Sequence, residues 1–227
     1  MNNSQFIIII PARKNSKRLK GKNTKILNGK PLISYSIEFA IKYFNKNQIW
    51  LNTDDEKVEE IGAAFGLNIY KRKKNLGNDN TPIGEVILDQ IIYLEQQRIN
   101  FNNIILLQPT NPFRDNLDLD KIMSYYISNQ LNSLMTVSST KMKLGSIAND
   151  FFTPLNYNYE QRSQSLNNLY FENGQLYISN KNIIKKNKNL ISKDVFPFIT
   201  KGIQSKIDID IQEDFDFAEY ILNKSEK

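Results

Sequence analysis

The apolar positions of the chain fall into two alternating rhythms. Phe6–Ile10 is an unbroken β-branched and aromatic run, which predicts a strand buried on both faces, as in a parallel sheet. Pro31 stands at a first helical position, and Ile33, Ile37, Ala40, Ile41 and Phe44 follow at helical spacing. Gln48–Asn52 reads as a second strand, after which Thr53 and Asp54 can cap a helix over Asp55–Phe65 that Gly66 ends. Leu67–Tyr70 and Ile104–Leu107 read as strands on either side of a helix over Gly84–Gln97, whose Val86, Ile87, Ile91 and Leu94 share a face. Leu117–Asn129 reads as a helix and Ser133–Val137 as a strand. Strands that alternate with helices predict an α/β fold with a mainly parallel sheet and helices on both faces.

The rhythm fails between Ser138 and Leu169, where aromatic residues are scattered among Asn, Ser and Gln. So long a stretch without periodicity predicts an insertion or an arm that packs on something other than its own domain. Beyond it, Asn173-Gly174 between two apolar runs predicts a hairpin within Tyr170–Ser179, Ile203–Ile207 a last strand and Glu213–Asn223 a last helix. No internal repeat is present, and 227 residues suit one domain, 1–227, with 138–169 as its arm.

Composition narrows the chemistry more than the fold. The chain has no Cys and no His, so disulfides, thiolate nucleophiles, imidazole bases and Cys or His metal sites are excluded. Carboxylates, Lys, Arg, hydroxyls, backbone amides and a hard cation on oxygen ligands remain, a set suited to phosphate chemistry. Thirty Lys and Arg against 24 Asp and Glu give +6, which favours anionic partners. The short apolar start lacks a basic flank, so neither a signal peptide nor a membrane span is expected, and the expected location is the cytoplasm.

In open α/β sheets, ligands bind beyond the carboxyl ends of the strands. The loop after the first strand carries Arg13, Lys14, Lys17, Arg18, Lys20 and Lys22, which can cradle a polyphosphate or form a solvated basic patch of the kind that contacts nucleic acid. It matches neither the three-glycine dinucleotide fingerprint nor the Walker A loop. Ile207-Asp208-Ile209-Asp210 would place two carboxylates on one face of a strand, either as a Mg²⁺ site or as a solvated strand end. Pro109 and Pro112 frame a rigid turn that can present Gln108 and Arg114, while Asp54 reads better as a helix cap than as a ligand.

Seven blocks in order carry a family resemblance: Ile9-Ile-Pro-Ala-Arg-x-x-Ser-Lys-Arg18, Lys22-Asn23, Gly29-Lys-Pro-Leu32, Thr53-Asp54, Leu107-Gln-Pro-Thr-x-Pro-Phe-Arg114, Asn173-Gly-x-x-Tyr177 and Ile207-Asp-Ile-Asp210. From Ile7 to Ala218 the chain resembles the CMP-sialic acid synthetases, the acylneuraminate cytidylyltransferases. The resemblance implies a Rossmann-like nucleotidyltransferase fold and Mg²⁺-dependent transfer of CMP from CTP to the anomeric 2-hydroxyl of a nine-carbon 2-keto sugar acid, with release of pyrophosphate. It also implies a homodimer in which the arm of each subunit reaches the partner's sugar site, and no nucleic-acid or membrane partner.

Carried over position by position, the resemblance assigns Arg13, Asn15, Ser16, Lys17, Lys22 and Asn23 to the triphosphate, and Arg72 and Asp79 to the cytosine and ribose. It assigns Gln108, Tyr177 and the arm residue Arg162 to the sugar, and Asp208 and Asp210 to the metal, with Arg13, Lys17 and Asp210 carrying the chemistry. The chain departs from the family at Asn15, where Gly is usual, at Asn111 and Lys206, where Ser is usual, and at Gln175-Leu176, where Ala-Ile is common. A Gln beside the sugar site resembles the legionaminate and pseudaminate relatives, while N-acetylneuraminate is the leading expectation. A 3-deoxy-manno-octulosonate cytidylyltransferase, an inactive sugar-nucleotide-binding relative and a nucleic-acid-binding module are the alternatives.

Overall fold

The computed structural model describes residues 5–14, 16–78 and 80–225. Eleven strands are described: β1 Phe6–Ala12, β2 Ile26–Leu27, β3 Lys30–Pro31, β4 Ile49–Thr53, β5 Asn68–Lys71, β6 Asn103–Leu106, β7 Ser133–Thr140, β8 Gly145–Ala148, β9 Phe151–Pro154, β10 Leu169–Asn180 and β11 Phe196–Thr200. The helices are α1 Leu32–Tyr43, α2 Glu56–Ala64, α3 Ile83–Gln96, α4 Leu119–Ser128, α5 Lys181–Asn187 and α6 Gln212–Ser225. Seven strands form the central sheet in the order β11-β7-β10-β6-β1-β4-β5. β1 pairs parallel with β4 and β6, β4 with β5, and β7 with β11. β10 pairs antiparallel with β6 and β7, so it alone among the described sheet strands runs the other way.

The uninterrupted apolar run of β1 has the structural reason expected for a central parallel strand: both faces are covered. Ile8 and Ile10 pack with Ile33 and Ile37 of α1, Val58 of α2 and Ile122 of α4. Ile7 and Ile9 pack on the opposite face with Ile87 and Ile91 of α3 and Ile184 of α5. Burying each of these Ile or Val side chains contributes about 1.5–3 kcal/mol.

Four local expectations are corrected. Asp54 does not cap α2; that carboxylate belongs to Asp55, whose Oδ1 accepts from Lys57 N at 3.0 Å. Asn173-Gly174 is not a hairpin turn, because β10 runs straight through it with a bulge between Glu172 and Tyr177. Gly174 takes φ +72°, a conformation open to glycine, and the Asn173 side chain is held across the sheet by Ser138, Thr136 and Thr200. Residues 203–207 form no strand: a 3-10 turn occupies Gln204–Lys206 after Gly202 at φ +94°, and the last strand lies earlier at β11. Asp208 and Asp210 therefore stand on an extended segment outside the ladder, where the alternation still holds: Ile207 and Ile209 are buried and Asp208 faces solvent.

Residues 138–169 contain a two-stranded sheet of β8 and β9, separate from the central one. Ile147 and Phe151 of this sheet, and Leu155 just beyond it, are uncovered, 75%, 76% and 70% exposed. No helix among the described residues is long and apolar enough to cross a membrane.

Candidate active site

The carboxyl ends of β1, β4, β5 and β6 lie on one side of the sheet, and the segments that leave β1, β5 and β6 line a cavity of about 330 Å³. Arg13, Ser16, Lys17, Lys22 and Asn23 line it from the loop after β1. Arg72 enters from the end of β5, Gln108 from the end of β6, and Asp208 and Asp210 from the segment before α6. Nine of the residues assigned from the sequence thus meet in one place. Asn15 and Asp79 lie outside the described residues.

An apolar cluster explains how a loop near residue 20 meets carboxylates near residue 209. Leu19 of the basic loop packs in one buried group with Leu27, Phe113, Ile207, Ile209 and Phe215. Ile209 N also donates to Thr110 O at 2.7 Å, which fixes the acidic segment against the Gln108–Thr110 loop. Lys22 completes the link, donating from Nζ to Ile209 O and Asp210 Oδ1, each at 2.8 Å. Asn23 acts on the loop's shape, since its Nδ2 donates to Arg13 O at 3.1 Å.

The two aspartates are not equivalent. Both oxygens of Asp210 are engaged, by Lys22 and by Arg18 at 2.7 Å. Asp208 remains open to solvent but is crowded by surrounding atoms, and that partial desolvation, with the Asp210 and Asp214 charges, raises its carboxyl above the usual range. A Thr110 hydrogen bond and the Lys22 charge pull in the other direction. Asp214 also accepts from Asp210 N at 2.9 Å and Ile211 N at 3.1 Å, so it fixes the backbone where α6 begins.

Arg72 is presented by a buried relay. Asn52 Nδ2 donates to Gln90 Oε1 at 2.8 Å, which turns Asn52 Oδ1 toward Arg72 Nε at 2.7 Å. Burial lowers the Arg72 guanidinium to about 10, so it stays cationic at neutral pH. Asp54 has a different task from the helix cap expected of it: its Oδ1 accepts from Lys14 N at 2.8 Å and pins the base of the cationic loop.

A second chamber, of about 270 Å³, adjoins the first and shares Gln108 and Ile83 with it. Tyr177 lines this chamber and donates from its hydroxyl to Glu172 Oε1 at 2.7 Å. Burial and the Glu172 and Asp208 charges raise the Tyr177 phenol, so the hydroxyl keeps its proton. Arg162 is elsewhere, exposed on the arm, and lines neither cavity. Gln175 lines neither cavity. It is fully buried and donates from Nε2 to Phe113 O at 2.5 Å, so it serves the core of the protein.

Arg114 is likewise inside, 1% exposed, and its hydrogen-bond partners among the described residues are neutral. Its guanidinium donates to Gln175 O at 2.6 Å, Ser36 Oγ at 2.9 Å and Gln108 O at 2.6 Å. The arginine therefore positions Gln108 instead of facing a ligand. Two roles were not read from the sequence: Asp54 as a loop pin, and Glu172. Arg18 was named only as one cation of the basic run, and its bond to Asp210 was not foreseen.

A cytidylyltransferase family profile matches residues 7–226. The chain is 34% identical over 111 residues to a CMP-N,N'-diacetyllegionaminic acid synthase of Legionella pneumophila, covering 48% of each. It is 30% identical over 174 residues to a pseudaminic acid cytidylyltransferase of Campylobacter jejuni, covering 74% of this chain and 75% of that one. An N-acylneuraminate cytidylyltransferase of Streptococcus agalactiae is 31% identical over 182 residues, which are 75% of this chain and 42% of the relative. The chain thus spans about half the length of the Legionella and Streptococcus relatives. Among solved structures, a CMP:2-keto-3-deoxy-manno-octonic acid synthetase complexed with CTP superposes with a TM-score of 0.70 at 16% identity, covering 97% of this chain and 99% of that one. A 4-diphosphocytidyl-2C-methyl-D-erythritol synthase superposes with a TM-score of 0.69 at 11% identity, covering 96% and 98%. Sheet order, site placement and a match over nearly the whole length agree: the chain belongs to the cytidylyltransferase family, the one that includes the CMP-sialic acid synthetases.

Proposed function

We propose that this chain transfers CMP from CTP to the anomeric 2-hydroxyl of a nonulosonic acid and releases pyrophosphate. The observation that carries this reading is one cavity with a cationic wall, Arg13, Lys17, Arg18, Lys22 and Arg72, facing Asp208 and Asp210, and opening onto a smaller chamber at Gln108. The cationic wall would hold the triphosphate and the smaller chamber the sugar. O2 of the sugar acid then attacks the α-phosphorus in line, the bond from that phosphorus to the bridging oxygen breaks, and pyrophosphate leaves. Lys17 and Arg13 stabilise the charge that develops on the phosphate oxygens.

Two hard carboxylates beside a phosphate-binding loop fit Mg²⁺, which prefers a few protein oxygens plus substrate phosphates. No group of three or more acidic residues arranged for a metal occurs among the described residues, so phosphate and water oxygens would complete the set. Asp208 and Asp210 would hold the cation, which supplies neutralising charge and makes the attacking hydroxyl more acidic. Asp210 must first be relieved of Arg18 or Lys22, and the incoming triphosphate gives both cations another anion to meet.

The same reading makes the β8–β9 hairpin a dimer contact. Its apolar, exposed Ile147, Phe151 and Leu155 would be covered by a second copy, and Arg162 would be carried toward that copy's sugar chamber. Light scattering should find a dimer for the natural chain and a monomer for the Ile147→Asp, Phe151→Asp double variant. The test of the function is incubation with CTP, Mg²⁺ and N-acetylneuraminate, legionaminate, pseudaminate or 3-deoxy-manno-octulosonate. Pyrophosphate and a CMP-sugar should form with at least one of the first three, and Asp210→Asn should sharply reduce the rate. Absence of pyrophosphate with every sugar acid refutes the reading.

A further inference from the structure

The two adjoining cavities carry opposite charge. The first is lined by Arg13, Lys17, Arg18, Lys22 and Arg72 against two aspartates. The second has a single formal charge among the described residues that line it, the carboxylate of Glu172. An acidic side chain is an odd wall for the chamber of an acidic substrate, unless the substrate enters with its carboxylate facing the other cavity. Within one subunit, Coulomb repulsion by Glu172 favours that orientation: the sugar's carboxylate toward the cationic wall and its tail toward Glu172.

The chemistry of the chamber then defines the tail it accepts. The Tyr177 hydroxyl spends its proton on Glu172 Oε1, leaving the phenol oxygen as an acceptor. An ionised carboxylate accepts only. Leu190 and Ile191 supply the apolar side of the chamber, and Glu172 stands exposed at its edge. A hydrogen-bonding group that meets Glu172 and the Tyr177 oxygen must therefore donate, and a cationic nitrogen satisfies the carboxylate best.

Resting on the function proposed above, we infer that Glu172 is a specificity residue: it selects nonulosonic acids whose tail carries an N–H donor, and favours a protonated amine over an amide and an amide over a hydroxyl. Gln108 fixes the boundary between the two cavities. Its Oε1 approaches Gly174 so closely that a Cβ there would lie 2.5 Å away, so the bulge glycine sets where the tail begins.

The test uses the full chain with saturating CTP and three sugar acids that differ in one tail substituent: a free amine, an N-acetyl amide or a hydroxyl. For each, kcat/KM is measured with the natural chain and with Glu172→Gln, which keeps an acceptor for Tyr177 and removes the charge. The ratio of amine to hydroxyl substrate should fall about tenfold in the variant, the scale of one bond to a charged group. A structural role for Glu172 would lower all three substrates together and leave that ratio unchanged, and this result overturns the inference. Failure of the natural chain to turn over any of the three refutes the function itself, and the inference with it.

Discussion

Arg114→Met tests whether a buried cation with only neutral partners holds the floor of the site. The guanidinium makes three bonds of 2.6, 2.9 and 2.6 Å, to Gln175 O, Ser36 Oγ and Gln108 O. At about 1.5–3 kcal/mol for each bond from a charged donor, the gross loss is about 5–9 kcal/mol. Methionine also removes a cation that burial disfavours, enough to bring the group down to about 9, and this relief recovers several kcal/mol. Gln108 O retains Asn111 N at 3.3 Å, so the main orphan is the buried Gln175 carbonyl, worth about 1–3 kcal/mol. The net expectation is a destabilisation of about 3 kcal/mol, which for a domain of this size lowers Tm by about 6–12 °C. Arg114→Lys should do little better, because one ammonium cannot span acceptors arranged for a planar fork. Thermal unfolding followed by circular dichroism reads both variants. A Tm within about 2 °C of the natural chain for Arg114→Met would refute the claim that the guanidinium is a structural pin, since it corresponds to less than about 1 kcal/mol.

Other expectations follow from single contacts. A Cβ at Gly77 would sit 2.8 Å from Asp54 Oδ2, so Gly77→Ala should push Asp54 off Lys14 N and raise the KM for CTP several-fold in a pyrophosphate-release assay. Gly84 meets Lys188 O at 2.3 Å from the same ideal Cβ, a backbone clash that must move the 188–191 wall of the smaller chamber. Gly84→Ala should therefore cost about 1–3 kcal/mol of stability and raise KM for the sugar acid more than for CTP. The folded state raises the Asp208 carboxyl, so it binds its proton more tightly than the unfolded chain does, and stability is lost as pH rises through the carboxylate range. Asp208→Asn, measured without divalent cation, should flatten that fall in Tm and leave the protein at least as stable at pH 7.

Elements with a strong period were legible from the residues, and elements fixed by one side chain reaching across the fold were not. β1, α1 and α3 fall within a residue or two of the expected bounds because their apolar spacing matches the faces that bury them. Asn173-Gly174 has the composition of a hairpin turn, yet the Asn173 amide bonds to Ser138 and Thr200 on two other strands. Those bonds make a bulge cheaper than a reversal, and nothing local encodes them. Asp54 and Asp55 are chemically identical candidates for one cap. Their choice depends on Lys14 N, 40 residues away, and on Thr53 Oγ1, which accepts from Asp55 N at 3.0 Å. The site itself was legible where charge and strand ends coincide, at Arg13, Lys17, Lys22, Asp208 and Asp210. The resemblance put Gln175 beside the sugar through its neighbours Asn173-Gly174 and Tyr177, whereas at the bulge its own side chain turns inward to Phe113 O.

The absence of His and Cys is resolved by the way the site distributes charge. A cation-rich wall can stabilise a phosphoryl transition state without titrating near neutral pH, because Arg and Lys keep their protons there. Burial lowers Arg72 to about 10 and still leaves it charged. On the opposite wall, Asp210 is clamped between Arg18 and Lys22, while Asp208 bears the like-charge repulsion of Asp210 and Asp214. That asymmetry makes the acidic wall responsive to what fills the cavity. On the function proposed above, a triphosphate would compete for Arg18 and Lys22, release Asp210 and raise the local negative charge as the phosphates arrive. Affinity for a divalent cation should therefore be low in the empty cavity and increase with nucleotide bound, a coupling that isothermal titration with and without CTP measures and that equal affinities in the two titrations would disprove.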